Sequence, residues 1–264
     1  VNVRPVKERG QNFLLDSGAI QDILRFGEIK QNESIIEIGP GLGALTKELV
    51  QIADVTVIEL ERNFCRKLAE ELPQIKIINE DVRKIDFSTL GTDLVIFGNL
   101  PYSLSTDIVF HILSFRQCIS RAVFMLQKEF VERMVAKPGG KDYGALSIGC
   151  QLEASLTSGP VISGDLFHPP TKVNSQVVEL KFFKEDPFKL TKEDREKLRR
   201  TVKASFFRRR KKLPNSIKAS CFFDSRIVDE ALKNAEIDPN RRGETLSIPE
   251  FIALSKQLST LKYE

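Results

Sequence analysis

The sequence predicts an α/β fold, a mostly parallel β-sheet with helices on both faces, followed by a small domain made only of helices. Up to about residue 184, short β-branched and aromatic runs alternate regularly with amphipathic helical patterns. This alternation is typical of parallel strands joined by crossover helices. After residue 187 only helical patterns continue, and the 264 residues suffice for a larger and a smaller domain. We therefore expect one domain over 1–184 and a second over 185–264.

Each predicted strand is a short apolar run that stops at a polar residue, a glycine or a turn. In chain order the strands are expected at 34–38, 55–58, 75–78, 93–98, 122–126, about 146–156 and 177–183. The predicted helices carry apolar residues on one face, and Asp16 or Ser17 is expected to cap the first of them. The others are expected at about 44–52 and 63–72, from a cap at Ser103 or Ser105 to about 114, and through 130–134. In the second domain they are expected at 191–206, 214–221, 225–235 and 247–261. The glycine-bearing segment 137–144 is expected to be a mobile loop.

The composition, 41% hydrophobic and 29% charged, is typical of a soluble globular protein. No apolar run approaches the roughly 20 residues that a membrane helix needs, and the start of the sequence has no apolar signal core. Four cysteines lie far apart without a CxxC pair, at positions 65, 118, 150 and 221. This spacing predicts neither a disulfide framework nor a metal site. We expect a cytoplasmic protein, not associated with membranes, whose cysteines are reduced core thiols.

Positive charge is concentrated in one segment of the predicted helical domain. Between Lys197 and Lys218 there are ten Lys or Arg residues and no Asp or Glu. Because the whole chain carries +4 and this segment +10, the remainder carries −6. A concentrated basic patch on a mildly acidic body indicates a polyanionic partner rather than general adhesiveness.

A glycine-rich turn and two acidic residues predict a cofactor site. Gly39, Gly41 and Gly43 lie between the first predicted strand and the next helix, where glycines let a backbone approach a ligand closely. Glu59 ends the following strand, where an acidic residue accepts hydrogen bonds from ribose hydroxyls, and Asp81 ends the third, where it could bind an adenine amino group. S-adenosylmethionine (SAM) fits this pattern, and the acids suit its positive sulfonium. NAD is the competing possibility, but its pyrophosphate would favour a less acidic site.

The fourth predicted strand ends in Asn99-Leu100-Pro101-Tyr102. Ligands of open α/β sheets bind beyond the carboxyl ends of the strands, so Asn99 and Tyr102 should face that crevice. An amide acceptor, a rigid backbone and a flat ring suit a planar base that bears an amino group. The run resembles the motif of amino-directed methyltransferases, in which the amide oxygen and the next carbonyl bind the amine while the aromatic ring stacks on the base. Such acceptors localise the lone pair of the nitrogen, so no strong base is required.

Five segments in register extend this resemblance to about residues 7–260. They are 10–14 (GQNFL), 37–43 (EIGPGLG), 98–102 (GNLPY), 126–129 (LQKE) and 167–175 (FHPPTKVNS). Together they closely resemble the KsgA/RsmA family of ribosomal RNA adenine dimethyltransferases. The resemblance implies a Rossmann-like SAM-dependent methyltransferase sheet. It also implies a monomeric enzyme of small-subunit biogenesis that dimethylates N6 of two adjacent adenosines in the 3′-terminal hairpin of 16S rRNA.

The resemblance also implies roles for individual residues. The catalytic group would be Asn99, Leu100, Pro101, Tyr102 and Phe167, with Phe167 stacking on the target base opposite Tyr102. The cofactor group would be Asn12, Leu14, Gly39, Gly41, Glu59, Asp81 and Asn99, and the RNA-binding group Arg208, Arg209, Arg210, Lys211 and Lys212. Two places depart from the family pattern: Glu8-Arg9 replaces a basic-aromatic pair, and Pro214 replaces an arginine. Both departures concern RNA contact, not the cofactor or amine motifs.

Two other functions are compatible with parts of this pattern. Macrolide-resistance methyltransferases share the Asn-(Leu/Ile)-Pro-Tyr site and modify 23S rRNA. The C-terminal segment 240–251 (NRRGETLSIPEF), however, resembles the helical tail of the KsgA family. A non-catalytic ribosome-assembly or transcription factor could also retain the fold, although the intact Glu59, Asp81 and Asn99 argue against lost chemistry.

Overall fold

The computed structural model describes residues 12–260, which form two compact units. The first unit comprises the chain up to Val131 together with Glu153–Lys184, and the second comprises Glu132–Leu152 together with the chain from Glu185 onward. The second unit thus contains the chain from residue 185 and also the segment 132–152, which lies within the range 1–184 expected from the sequence for the first domain. Several predictions fall outside the described residues: the departures at Glu8 and Arg9, residues 10 and 11 of the 10–14 motif, and residue 261 of the helix predicted over 247–261.

Nine strands form two sheets in the described part of the chain. They are β1 (Phe13–Leu14), β2 (Ser34–Ile38), β3 (Asp54–Ile58), β4 (Lys76–Ile78), β5 (Leu94–Asn99), β6 (Ile119–Gln127), β7 (Ala154–Ile162), β8 (Phe167–His168) and β9 (Ser175–Phe182). The main sheet has the order β4-β3-β2-β5-β6-β9-β7, with the first five strands parallel and the last two antiparallel to their neighbours. The predicted mostly parallel α/β sheet is confirmed.

The topology places a crevice beside β2. The chain runs outward from β2 to β3 and β4 on one side, and returns to β5 and β6 on the other. The strand order therefore reverses between β2 and β5, the point at which open α/β sheets bind ligands. Successive residues Ile96 and Phe97 of β5 are both completely buried. Because neighbouring side chains in a strand point to opposite faces, both faces of the sheet are covered.

Within residues 12–260, ten α-helices connect or follow the strands. They are α1 (Ser17–Gly27), α2 (Ala44–Leu49), α3 (Arg62–Glu71), α4 (Ser105–Ser114), α5 (Lys128–Val135), α6 (Ala145–Gln151), α7 (Lys192–Ser205), α8 (Leu213–Ser220), α9 (Val228–Asn234) and α10 (Ile248–Thr260). Asp16 caps α1 as predicted, since its Oδ1 accepts the N–H of Ala19 at 2.8 Å. No helix in residues 12–260 is both long and apolar enough to cross a membrane.

The strand predicted at 146–156 is wrong over its first half, which is helix α6. Leu146, Ile148 and Cys150 alternate as in a strand, but Ser147 between them is buried as well. In a short segment that is buried on several sides, apolar residues at every second position do not distinguish a strand from a helix. The start of α6 is stabilised by the Ser147 hydroxyl, which accepts the N–H of Gly144 at 3.1 Å and donates to the Arg133 carbonyl at 2.5 Å.

The second unit has its own hydrophobic core, to which helices α6–α10 contribute. A capping box begins α7: the Thr191 hydroxyl accepts the N–H of Asp194 at 3.1 Å, and the Asp194 carboxylate accepts the N–H of Thr191 at 3.1 Å. Segment 137–144, predicted to be mobile, is anchored in this unit. Tyr143 is completely buried in the core, and the N–H of Gly139 donates to the Glu244 carbonyl at 2.7 Å.

All four cysteines are free, but only Cys118 and Cys150 lie in the core. Cys65 is half-buried, and Cys221 is exposed at the end of α8, where its backbone is left-handed with φ of 57°. The prediction of core thiols is therefore wrong for these two residues, because spacing along the sequence does not reveal burial.

Candidate functional site

A cavity of about 420 Å³ opens in the first unit at the carboxyl ends of β2, β3, β4 and β5. This volume lies within the range typical of small-molecule sites. Its polar lining includes Asn12, Gly39, Gly41, Glu59, Glu61, Glu80, Asp81, Asn99, Tyr102 and Ser103, and its apolar lining includes Phe13, Phe64, Leu100, Leu104, Ile108 and Phe167. Six of the seven predicted cofactor residues and all five predicted catalytic residues line this one cavity. The exception is Leu14, which is buried in the core and does not line it.

The turn after β2 brings backbone to the cavity wall. Gly39 and Gly41 have left-handed backbones, with φ of 66° and 56°, which favour glycine. A Cβ atom on Gly41 would lie only 2.8 Å from the Phe13 ring. The turn is tied to β3 because the N–H of Gly39 donates to the Ile58 carbonyl at 2.9 Å. The glycines thus allow a ligand to approach the end of β2 closely.

Glu59 follows β3 and is buried at the cavity wall. Its Oε2 accepts the N–H of Gly41 at 3.2 Å, and its Oε1 accepts the N–H of Glu61 at 2.8 Å. Burial raises the pKa of this carboxyl to about 7, although backbone hydrogen bonds, including the one from Gly41, oppose the rise. The side chain is therefore held in one orientation, with the glycine turn on one side.

A second buried acid, Glu37 of β2, was not identified from the sequence. It is 3% exposed, and within residues 12–260 its Oε2 has no hydrogen-bond partner. Burial raises the pKa of Glu37 to about 7, and the nearby negative charge of Glu59 contributes to this rise. The motif segment 37–43 contained this residue, but nothing in the sequence showed that its side chain points into the protein.

Asp81 lines the cavity at the end of β4, but its carboxylate is already bound by a neighbour. Arg83 donates from Nη2 to Oδ2 at 2.6 Å and from Nε to Oδ1 at 3.0 Å, and its backbone N–H also donates to Oδ1 at 3.0 Å. The Arg83 guanidinium lowers the pKa of Asp81 to about 2. Asp81 is therefore ionised at neutral pH, and only part of its hydrogen-bonding capacity remains for a ligand. Arg83 was not among the residues expected at this site.

The Asn99–Tyr102 run is held by contacts on both sides. The Asn99 Nδ2 donates to the carbonyl of Asn12 at 3.4 Å, which leaves Oδ1 as the opposite end of the amide. The N–H of Leu100 donates to the Met125 carbonyl at 3.2 Å, and the Tyr102 hydroxyl is 2.9 Å from the hydroxyl of buried Ser175. The amide and the tyrosine ring are thus positioned by atoms far away in sequence.

Aromatic rings form another part of the wall. Phe167 is 3% exposed and belongs to the hydrophobic core of this unit, so it is not a surface loop aromatic. Its strand β8 pairs antiparallel with β1, which sets Leu14 opposite Phe167. Phe13 packs edge-on against Phe64 with ring centroids 5.6 Å apart. Leu14 thus contributes to the site by packing and strand pairing, through Phe167.

The five predicted RNA-binding residues lie in the second unit, on the turn between α7 and α8, and all are exposed. Two of them are engaged in the fold. Arg209 donates from Nη2 to the carbonyls of Lys141 and Tyr143, both at 2.8 Å, and Lys212 donates from Nζ to Asn240 Oδ1 at 2.7 Å. Arg209 therefore anchors segment 137–144.

The other three basic side chains are available to a partner. Within residues 12–260, the side chains of Arg208, Arg210 and Lys211 form no hydrogen bond or ion pair, and Arg208 lies over the Phe207 ring at 5.6 Å. Pro214 occupies the first turn of α8, where its missing N–H costs no helical hydrogen bond. Its departure from the family pattern is therefore compatible with the local fold.

Comparison with known proteins supports the motif-based prediction. A family model described as ribosomal RNA adenine dimethylase matches residues 5–259. Two curated relatives carry the name "Ribosomal RNA small subunit methyltransferase A". The protein from Acinetobacter baylyi is 40% identical over 96% of this chain and 92% of its own length, and that from Desulforapulum autotrophicum is 39% identical over 96% and 91%.

Solved structures show the same fold over nearly the whole chain. A dimethyladenosine transferase from Plasmodium falciparum is 25% identical, with a TM-score of 0.77 over 92% of this chain and 95% of its own. The 23S rRNA methyltransferase ErmE, with 24% identity and a TM-score of 0.71, covers 94% of this chain and 100% of its own, and shows the likeness of fold alone. The chain therefore belongs to the ribosomal RNA adenine dimethylase family, whose enzymes are the SAM-dependent adenine methyltransferases that its motifs predicted.

Proposed function

We propose that this chain transfers methyl groups from SAM to N6 of two adjacent adenosines in the 3′-terminal hairpin of 16S rRNA, during biogenesis of the small ribosomal subunit. The supporting observation is that Asn99, Leu100 and Tyr102 line the same cavity as the glycine turn and Glu59. Cofactor and target amine could therefore meet within one site. The names of the curated relatives favour the small subunit as the source of the RNA.

The residues at the cavity fit SAM. Gly39 and Gly41 present bare backbone, and Glu59 presents a carboxylate that could accept ribose hydroxyls. Acidic side chains at 59, 61, 80 and 81 would favour a positively charged ligand over a pyrophosphate. When bound, SAM supplies a methyl group on a positively charged sulfur, which is displaced by the attacking nitrogen.

Asn99 and Leu100 would position the target nitrogen. Because the Asn99 Nδ2 donates to the Asn12 carbonyl, Oδ1 is free to accept one hydrogen of the amine. The Leu100 carbonyl would accept the other, and the pair would draw the nitrogen towards tetrahedral geometry. Preorganised acceptors of this kind act mainly by orientation and electrostatics.

Tyr102 and Phe167 would hold the base itself. Both rings line the cavity, and each is fixed, Tyr102 by the hydroxyl of Ser175 and Phe167 by core packing. A target adenine must leave its stack to reach such a site, and aromatic faces compensate for the lost stacking. Arg208, Arg210 and Lys211 would bind phosphates of the same RNA with an affinity that falls as salt rises.

The test is methyl transfer from labelled SAM to small ribosomal subunits that lack the modification. We expect dimethyladenosine in the 3′-terminal hairpin of 16S rRNA, and its absence would refute the proposal. The Asn99→Ala variant should lose transfer by about 100-fold or more, since it removes a positioned acceptor, while still binding RNA. Ser103→Ala, at an exposed position on the same cavity, is the matched control and should retain transfer.

A parallel reaction with protein-free 23S rRNA distinguishes the macrolide-resistance activity. Transfer to 23S rRNA without transfer to small subunits would establish that alternative. Binding of small subunits without transfer to either RNA would indicate a non-catalytic assembly factor.

A further inference from the structure

Phe207 is an exposed aromatic residue in the middle of the basic turn. It is the second residue after the end of α7, and it is 50% exposed. Its neighbour Phe206 is instead half-buried and packs against Phe251, with ring centroids 6.0 Å apart. Core packing thus accounts for Phe206, whereas Phe207 is not part of the hydrophobic core of the second unit and leaves half of its surface exposed.

Two successive Phe–Arg pairs in this turn serve different purposes. Arg209 lies 5.7 Å from the Phe206 ring centroid, and its guanidinium is bound to the carbonyls of segment 137–144. Arg208 lies 5.6 Å from the Phe207 ring centroid and forms no hydrogen bond or ion pair within residues 12–260. The first pair is therefore part of the fold, whereas the second presents a ring and a guanidinium to solvent.

The surroundings of Phe207 specify the chemistry of a partner. Arg210 and Lys211 follow it with uncommitted charges, and no acidic residue occurs between positions 197 and 218. An exposed ring with several free cations at its side is the combination that binds single-stranded nucleic acid, since bases stack on the ring while cations bind the phosphates. An apolar surface on a protein partner would not require this charge.

We propose that Phe207 stacks on an unpaired base of the RNA substrate, with Arg208 beside the ring and Arg210 and Lys211 on the adjoining phosphates. This inference rests on the proposed function only in that the partner is RNA. It assigns to the second unit a preference for unpaired nucleotides, which phosphate contacts alone would not confer.

The absence of tryptophan from the sequence allows a direct test. Phe207→Trp creates a single reporter whose fluorescence is quenched when a base stacks on the indole. The probes are an end-labelled hairpin RNA with an unpaired loop and a fully paired duplex of equal phosphate number, with binding followed by anisotropy of the label. We expect quenching with the hairpin and little with the duplex. Phe110→Trp, at another exposed phenylalanine, is the matched control and should not be quenched.

Two further variants separate stacking from charge. Phe207→Leu should weaken hairpin binding by about fivefold or more, without changing the slope of log affinity against log salt. Arg210→Gln should reduce that slope by about 0.7, the value for one phosphate on a single strand. Hairpin binding without quenching, or a Phe207→Leu variant that binds as tightly as wild type, would overturn the inference. If wild type still methylates small subunits, the proposed function stands despite that result.

Discussion

Replacement of Glu59 by glutamine tests the cofactor site most directly. Both carboxylate oxygens accept backbone N–H groups, from Gly41 at 3.2 Å and from Glu61 at 2.8 Å. Glutamine keeps the shape of the side chain but replaces one accepting oxygen with an NH₂ donor. One backbone N–H would then face a donor, and the charged acceptor for a ribose hydroxyl would be lost.

The expected loss follows from the energy of one such contact. Hydrogen bonds to charged groups contribute about 1.5–3 kcal/mol, so SAM should bind about 10- to 150-fold more weakly. Isothermal titration with SAM at pH 8 measures this change. Glu61→Gln is the matched control, because it removes a charge from the same cavity but leaves the two hydrogen bonds of Glu59 in place.

Stability provides an independent check that the site, not the fold, is affected. The pKa of Glu59 is raised by burial from 4.5 to about 7, so ionisation favours the unfolded chain as the pH rises from 4.5 to 7. Glutamine does not carry this penalty, and the relief offsets the cost of the backbone N–H that then faces a donor, so Tm at pH 8 should not fall appreciably. A folded Glu59→Gln variant that binds SAM as tightly as wild type would refute the reasoning.

Three other predictions follow from the site and the basic turn. SAM affinity should rise about tenfold between pH 6 and pH 8, because only ionised Glu59 accepts on both oxygens and its pKa is about 7. The affinity of the Glu59→Gln variant should not change over this pH range, and a remaining pH dependence would implicate Glu37 instead. Gly41→Ala should lower the free energy of unfolding, measured in urea, by more than the roughly 1–2 kcal/mol that a left-handed backbone costs by itself, because its Cβ would also meet the Phe13 ring at 2.8 Å. An equal effect from Gly39→Ala, which lacks that close contact, would contradict this prediction. Arg209→Gln should destabilise the protein by about 1–2 kcal/mol because two hydrogen bonds are lost, whereas Arg210→Gln should change stability by less than about 0.5 kcal/mol. Thermal unfolding of both variants measures this difference, and equal stabilities would contradict the anchoring role of Arg209.

The sequence was sufficient to predict the sheet and most of its cavity. Strands β2, β3 and β5 are apolar runs that end abruptly at Gly39, Glu59 and Asn99. Because parallel strands align their carboxyl ends at one edge, residues that end separate strands must meet there, whatever the details of packing. Sequence order and local pattern therefore located these residues before any contact was known.

Contacts between distant segments were decided only by the tertiary structure. Residues 145–151 form helix α6, although their pattern predicted a strand, and several of their successive side chains are buried. The pairing of β1 with β8 places Leu14 opposite Phe167. In the basic turn, five residues of similar chemistry divide into anchors such as Arg209 and free cations such as Arg210. Charge and periodicity are local properties of a sequence, but the partner that each side chain meets depends on the folded arrangement of the whole chain.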